Sequence, residues 1–164
     1  MNYTIEKLKD SSIVYMRNIG PYGGPNNFKM MADFKGWISN NNLQKDLASY
    51  GIWGMALDNP QQTPPEECRY DLILCISNQD QSNSEVKVRQ FKGGNYAVFT
   101  IPHTTEEVQQ FWADLGKHIT QNKLNLRDEP IIERFKEEEG LDKFCDFIHL
   151  LFLFYRKGIF LCND

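Results

Sequence analysis

Two carboxylates lie in unusually apolar surroundings in the C-terminal half of the chain. Glu133 is embedded in the segment IIERF, and Asp146 in the segment FCDFI. A carboxyl group among aliphatic side chains has a raised pKa unless a cation or hydrogen bonds stabilise its charge. Such a group can pair with a lipophilic cation or transfer a proton. Glu133 and Asp146 are therefore the candidate catalytic residues.

Alternation along an extended strand determines what Glu133 can contact. It places Ile131, Glu133 and Phe135 on one face, and Ile132 and Arg134 on the other. The apolar neighbours favour a Glu133 that faces a pocket. The alternative is an ion pair between Glu133 and a basic residue at the rim of the sheet.

Ion pairs are also the alternative for Asp146. It can pair at a strand end with Arg69 or Lys143. Asp71, in the segment CRYDLILCIS, follows Arg69 on the same strand face. We therefore expect a structural ion pair between Asp71 and Arg69.

Large aromatic side chains are the second ingredient of a binding site. They stack on planar or cationic ligands, although a helical aromatic stripe more often packs in the core. Phe111 and Trp112 are adjacent, so they point about 100° apart on a helix, one toward the sheet and one toward a groove. Tyr15 and Tyr96 each carry a hydroxyl that a pocket could use. The candidate ligand-binding residues are Tyr15, Trp53, Tyr70, Phe111, Trp112 and Phe135.

The spacing of the remaining reactive residues argues against several other sites. The three histidines are far apart in sequence and the four cysteines form no CxxC pair, so we expect neither a metal nor a cofactor. No serine lies in a nucleophile elbow. The segment FKGG, residues 91–94, lacks the spacing of a phosphate-binding loop. A net charge of -4 argues against direct contact with nucleic acid.

Length and composition indicate one domain over residues 1–164. The chain is 41% hydrophobic and 24% charged, as in globular proteins. We see no secretory signal, and the nine-residue run FIHLLFLFY is far shorter than the roughly 20 residues that a membrane helix needs. These features predict a cytoplasmic protein that does not bind a membrane.

Each half of the chain reads strand, helix, strand, strand. In the first half, SSIVYMRNIG, IWGMALDNP and CRYDLILCIS are strand-like. We expect Asn26 or Asn27 to cap the start of the helix NNFKMMADFKGWISNNNL, and the cluster 40–42 to end it. Its apolar face is expected to comprise Phe28, Met31, Phe34, Trp37 and Ile38.

The second half repeats the pattern. VKVRQFKGGNYAVFTIP divides into two strand-like pieces at a pair of glycines, and EPIIERF and KFCDFIHLLFLF are also strand-like. The helix TTEEVQQFWADLGKHITQ has a strong apolar face, and Thr104 with Glu107 forms a capping box. Asp71 and Asp146 then occupy matching positions.

Duplication predicts the fold class. Two such halves, about 1–80 and 85–155, can join edge to edge into one α+β domain. We expect an antiparallel-rich sheet, two helices on one of its faces, and a pocket at the pseudo-twofold axis. The apolar tail, residues 153–164, lies outside this pattern and suits either the other sheet face or a dimer contact.

Several of these segments resemble one known family. Glycine-proline after the first strand, DNPQQTPPEECRYD, GGNYAVFTI, PIIERF and the final CDF strand are similar to the GyrI-like small-molecule-binding domain. This domain stands alone in a bacterial DNA gyrase inhibitory protein and is the effector-binding part of multidrug-responsive activators. The resemblance covers roughly residues 3 to 152. Where the family commonly has Glu in the final strand, this chain has Asp146.

The resemblance implies a cytoplasmic protein that captures lipophilic, often cationic or toxic compounds in an aromatic and acidic pocket. Two other functions stay open. One is a hydrolase that detoxifies cyclopropane-bearing electrophiles, with a pocket carboxylate that activates water. The other is an inhibitor of DNA gyrase. The expected partners are lipophilic small molecules, together with either a second copy of the chain or a protein such as gyrase.

Overall fold

A computed structural model of the chain describes residues 2–77, 85–135 and 147–154. Three α-helices and eight strands occur in these ranges. In chain order they are β1 (Thr4–Leu8), β2 (Ser11–Ile19), α1 (Pro25–Asn40), α2 (Gln44–Tyr50), β3 (Ile52–Ala56), β4 (Arg69–Ile76), β5 (Lys87–Phe91), β6 (Gly94–Pro102), α3 (Thr105–Gln121), β7 (Ile132–Phe135) and β8 (Phe147–Leu153). No helix in the described ranges is long and apolar enough to cross a membrane.

The eight strands form one antiparallel sheet in the order β1-β6-β8-β7-β3-β4-β2-β5. The α+β class and the strand–helix–strand–strand duplication are confirmed. Each half also begins with an extra strand that crosses to the other half, because β1 pairs with β6 and β5 pairs with β2. The sequence analysis predicted β5 but neither β1 nor the short helix α2.

Strand registers locate the pseudo-twofold axis. β1 and β5 have five residues each, β2 and β6 have nine, and two residues join each consecutive pair. When β1 and β2 are superposed on β5 and β6, the ladder registers make Gly54 of β3 the counterpart of Glu133 of β7. These two residues are also partners in the β3–β7 ladder. The axis therefore passes through the Gly54–Glu133 pair. Superposition also makes His149, not Asp146, the counterpart of Asp71.

Helices α1 and α3 lie on one face of the sheet, which we call the pocket face. Beneath α1, Phe34, Trp37 and Ile38 are buried against β2 and β4. Beneath α3, Phe111 is buried against β6 and β8. Both helices thus flank the central strands β3 and β7 without covering them completely.

The helix termini follow local chemistry. Thr104 caps α3 by accepting a hydrogen bond from the Glu107 backbone N–H at 3.3 Å, which is one of the two hydrogen bonds of the predicted capping box. The prediction that Asn26 or Asn27 caps α1 is wrong, because Gly24 is the cap residue and Pro25 begins the helix. Proline suits the first helical position, where its missing N–H costs no hydrogen bond.

The opposite, or back, face of the sheet packs on itself. Its buried side chains come from both halves, and they include Ile13, Trp53, Ile73, Tyr96 and Leu151. The β1–β2 and β5–β6 turns of the two halves are joined by a hydrogen bond that Asp10 accepts from the Gly93 backbone N–H at 2.8 Å. A side chain at Gly93 would collide with the backbone of Leu8.

Asp71 is fully buried on the back face, yet it is ionically paired twice. Arg17 donates to both of its carboxylate oxygens, at 2.6 and 2.9 Å, and the Arg89 Nη1 lies 3.0 Å from Oδ2. Asp71 is thus structural, as expected, but the predicted partner is wrong. Arg69 pairs with Asp58 instead.

Replacement of Asp71 should destabilise the fold strongly. Asp71→Asn removes the charge that compensates two partly buried guanidinium groups, and breaking a buried ion pair on one side costs about 3 kcal/mol. Chemical denaturation should show this loss. The control Asp33→Asn breaks the exposed pair with Lys29 and should change the free energy of unfolding by less than about 0.5 kcal/mol. Equal effects of the two changes would contradict a structural role for Asp71.

Candidate functional site

A cavity of about 900 Å³ opens between α1 and α3, above the central strands. Its wall is mainly aromatic and aliphatic, and its charged lining groups are Glu133 and Lys35. The residues that line it are Tyr22, Gly23, Asn27, Phe28, Met31, Lys35, Ile52, Ala56, Asn59, Pro60, Gln61, Tyr70, Leu72, His103, Trp112, Leu115, Ile131, Glu133 and Phe135. This composition is typical of sites for drug-sized organic molecules.

Glu133 lies in the cavity wall at the pseudo-twofold axis. Tyr70 donates a hydrogen bond from its hydroxyl to the Glu133 Oε2 at 2.8 Å. Within the described part of the chain, no Lys or Arg forms a salt bridge with Glu133. Among these residues, Glu133 therefore has a hydrogen bond that orients it but no salt bridge to a Lys or Arg.

Gly54 creates the space for this contact. It lies on β3 between Leu72 of β4 and Glu133 of β7. A Cβ at Gly54 would clash with the Tyr70 hydroxyl, lie 2.8 Å from the Tyr70 Cζ and lie 3.4 Å from the Glu133 Oε2. The absent side chain lets the phenol extend from β4 across β3 and reach the carboxylate on β7.

Burial alters the acid–base properties of both partners. Removal from water raises the pKa of Glu133, although the Tyr70 hydrogen bond and the nearby His103 partly offset this effect. Burial, reinforced by the negative charge of Glu133, raises the pKa of Tyr70 well above its ordinary value. Tyr70 thus stays a hydrogen-bond donor, and Glu133 gains from any positive charge that enters the cavity.

The raised pKa gives a pH dependence of stability. A carboxyl group whose native pKa exceeds its unfolded value of 4.5 stabilises the fold at low pH. That contribution is lost as the pH rises through the native pKa. Glu133→Gln does not titrate, so its free energy of unfolding should rise relative to wild type over this window. Denaturation curves over a pH series test this, and a constant difference between the two proteins would contradict the raised pKa.

A long loop between β3 and β4 forms one end of the cavity. Asp58 accepts hydrogen bonds from the Arg69 backbone N–H, Nε and Nη2 at 2.8, 2.9 and 2.8 Å, and this pairing lowers the pKa of Asp58 to about 2. The hydroxyl of Tyr22 accepts from the Asp58 backbone N–H at 3.0 Å. The charge pair thus closes the base of the loop and holds Asn59 and Gln61 at the cavity rim.

Aromatic rings form much of the cavity wall. Trp112 of α3 is 36% exposed and contributes to the cavity lining. The rings of His103 and Phe135 lie 5.6 Å apart, and Tyr22 and Tyr70 form a second pair at 6.1 Å. A flat or propeller-shaped hydrophobic ligand can contact rings on both sides of Glu133.

The structure brings together Glu133, Tyr70, Trp112 and Phe135 from the predicted site. Of Phe111 and Trp112, Phe111 faces the sheet and Trp112 faces the cavity, as the 100° separation required. Asp146 lies outside the described residues.

Three predicted ligand-binding residues lie elsewhere. Trp53 is buried on the back face, where it donates its Nε1–H to the Tyr50 carbonyl at 3.0 Å. Tyr15 is also on the back face, and Phe111 belongs to the core under α3. Trp53 precedes Gly54 on β3, and strand alternation directs the Trp53 side chain to the opposite face of the sheet. Trp53 therefore cannot line the cavity that contains Glu133. Tyr96 is likewise buried on the back face.

Sequence reasoning missed several residues of the cavity wall. Phe28 was assigned to the buried face of α1, but it is 67% exposed and lines the cavity. Tyr22 follows β2 and His103 follows β6, and both residues line the cavity. The one sequence signal for Phe28 is its position in the first turn of α1.

The duplicated sheet and its axial, acidic cavity define a small-molecule-binding domain. A model of the GyrI-like small molecule binding domain matches residues 1–145. The chain therefore belongs to the GyrI-like family, as the resemblance implied.

A curated relative supports this assignment. The chain is 38% identical over 146 residues to the SPbeta prophage-derived protein YosT of Bacillus subtilis (strain 168), a candidate transcriptional regulator by name. The match covers 89% of this chain and 96% of the relative. It spans both halves of the duplicated fold.

Solved structures share the architecture at low sequence identity. The C-terminal domain of EcmrR superposes with a TM-score of 0.67 at 7% identity, covering 95% of this chain and 99% of that one. SAV2435 bound to tetraphenylphosphonium gives 0.53 at 16% identity, covering 96% and 95%. A hydrolase from Listeria innocua gives 0.59 at 11% identity, covering 93% and 91%. At these identities the likeness establishes the fold alone.

Proposed function

We propose that this domain captures lipophilic organic cations, and that Glu133 supplies the counter-charge. The observation that carries the proposal is a partly buried carboxylate at the axis of an aromatic cavity, oriented by Tyr70 and without a basic salt-bridge partner in the described ranges. A ligand with a delocalised positive charge satisfies both features. Its hydrophobic surface leaves water, and its charge meets the acid.

Exchange of a proton for the ligand is the expected binding chemistry. In the empty cavity, burial favours the neutral form of Glu133. A bound cation favours the ionised form, so binding should lower the pKa of Glu133 and release a proton when the group was protonated. Affinity for a cation should therefore rise with pH through the native pKa of Glu133, whereas affinity for a neutral ligand should not change.

The size and curvature of the cavity suit a compact, rigid ligand. About 900 Å³ accommodates one drug-sized molecule. Tetraphenylphosphonium, the ligand in the SAV2435 structure, is a suitable probe because its charge is shielded by aromatic rings. We use tetraphenylphosphonium as a probe of the cation site and not as a proposed natural ligand.

Tryptophan fluorescence can locate the bound ligand. The chain has three tryptophans; Trp37 and Trp53 are buried, and Trp112 alone lines the cavity. Saturable quenching by tetraphenylphosphonium should occur in wild type and should largely disappear in Trp112→Phe. Trp53→Phe is the matched control and should keep the quenching. Loss of the signal in Trp53→Phe, with its retention in Trp112→Phe, would place the ligand elsewhere.

A further inference from the structure

The back face carries a second charged cluster that the cavity does not use. Arg17 of β2 and Arg89 of β5 converge on the buried Asp71 at 2.6 and 3.0 Å. Both guanidinium groups also lie over the ring of Tyr15, with distances of 5.4 and 4.5 Å to its centroid. Two cations share one anion, so the cluster carries an excess of one positive charge although the whole chain carries -4.

Several donors of this cluster have no acceptor in the described part of the chain. Arg17 uses Nε and Nη2 on Asp71, which leaves Nη1. Arg89 uses Nη1, which leaves Nε and Nη2. No hydrogen bond of the Tyr15 hydroxyl is found among the described residues either. The arginine side chains are 28% and 32% exposed, so these donors are accessible from solvent.

The duplicated fold provides an internal comparison. Superposition of the halves makes Glu6 the counterpart of Arg89, and His149 that of Asp71. In the second half, Arg134 donates to both carboxylate oxygens of Glu6 at 2.8 and 2.9 Å. One guanidinium and one carboxylate compensate each other there. The fold therefore does not require a second cation at this position, and the extra charge of the first half needs another explanation.

Neighbouring charges reinforce the excess. Lys87 lies opposite Tyr15 in the β2–β5 ladder and is exposed. Arg69 is also close, but its charge is compensated by Asp58. We propose that Tyr15, Arg17 and Arg89 form a binding site for a small oxyanion, a phosphate or carboxylate group, on the face of the sheet opposite the cation pocket. Guanidinium forks are well matched to the paired oxygens of such groups.

Thermal unfolding in inorganic phosphate tests this site. Sodium chloride holds the ionic strength constant, so that general screening is subtracted. Phosphate should raise the melting temperature saturably, and Arg89→Gln should reduce the apparent affinity at least tenfold. Tyr15→Phe keeps the ring and removes only the hydroxyl, and it should weaken binding several-fold. Parallel titrations with acetate and citrate distinguish a phosphate preference from a carboxylate preference.

Two control variants separate this site from other positive groups. Lys7→Gln removes an exposed lysine from the opposite edge strand and should leave the phosphate response unchanged. Glu133→Gln alters only the cavity and should also leave the phosphate response unchanged. The oxyanion site and the proposed cation pocket are therefore tested independently of each other. Responses to phosphate, acetate and citrate that are all no larger than the response to chloride would overturn the inference, as would equal responses of wild type, Arg89→Gln and Tyr15→Phe.

Discussion

Glu133→Gln is expected to weaken the binding of tetraphenylphosphonium by roughly 10- to 100-fold, which corresponds to about 1.4 to 2.8 kcal/mol. The change keeps the size of the side chain and an oxygen that can accept the Tyr70 hydrogen bond, so it removes only the charge. Truncation of a desolvated charge partner commonly costs this much or more. Isothermal titration calorimetry measures the affinity directly.

A neutral ligand of similar shape isolates the electrostatic contribution. Triphenylphosphine oxide should bind wild type and Glu133→Gln with affinities that agree within about twofold, since hydrophobic burial is non-directional and independent of charge. Glu106→Gln, an exposed change in the first turn of α3, is the matched variant and should not affect either ligand. If both ligands lost affinity equally in Glu133→Gln, the carboxylate would be maintaining the shape of the cavity.

The same variant distinguishes capture from hydrolysis. A hydrolase that uses Glu133 to activate water would lose turnover in Glu133→Gln while it retained substrate affinity. Mass spectrometry of cyclopropane-bearing electrophiles incubated with the wild-type protein would then show the addition of water. Unchanged ligand mass combined with lost cation affinity supports capture.

Gly54→Ala is expected to abolish most cation binding while the fold persists. The added Cβ collides with the tip of the Tyr70 side chain, which borders an open cavity, so the phenol should move into the cavity. This movement breaks the hydrogen bond to Glu133 and occupies ligand space. Affinity for tetraphenylphosphonium should fall at least tenfold, and the free energy of unfolding should fall by about 1 to 3 kcal/mol.

Two comparisons test whether the effect passes through Tyr70. Gly36→Ala and Gly116→Ala place a methyl group where, among the described residues, no atom beyond the local helix backbone lies within 4 Å. Both lie in helices and should stabilise the protein by about 0.5 to 1 kcal/mol. In a Tyr70→Ala background, Gly54→Ala should cost little additional stability, because the colliding ring is gone. Additive losses in the double variant would contradict the proposed clash.

Periodicity made the fold predictable. The alternation in IIERF placed Glu133 and Phe135 on one face, and the adjacent rings Phe111 and Trp112 divided as helical geometry requires. Similar patterns in both halves revealed the duplication. β1 escaped prediction because Thr4–Leu8 is mostly exposed and lacks a hydrophobic stripe, and α2 is only seven residues long.

Most errors in the site came from contacts between distant residues. Trp53 has the right chemistry for a ligand, but a one-residue displacement from Gly54 places it on the back face. Asp71 was assigned the nearest arginine in sequence, whereas strand pairing supplies Arg17 and Arg89. The role of Gly54 depends on a phenol that crosses a neighbouring strand, and local sequence contains no sign of such a contact.

Calorimetric titration of tetraphenylphosphonium in two buffers with different ionisation enthalpies tests whether Glu133 is the counter-charge for a bound cation. The titration is done at the lowest pH at which the fold is intact, where Glu133 is most protonated. We expect one ligand per chain, with a proton released on binding by wild type and none by Glu133→Gln. Equal affinity and equal proton release for the two proteins would show that Glu133 is not the counter-charge.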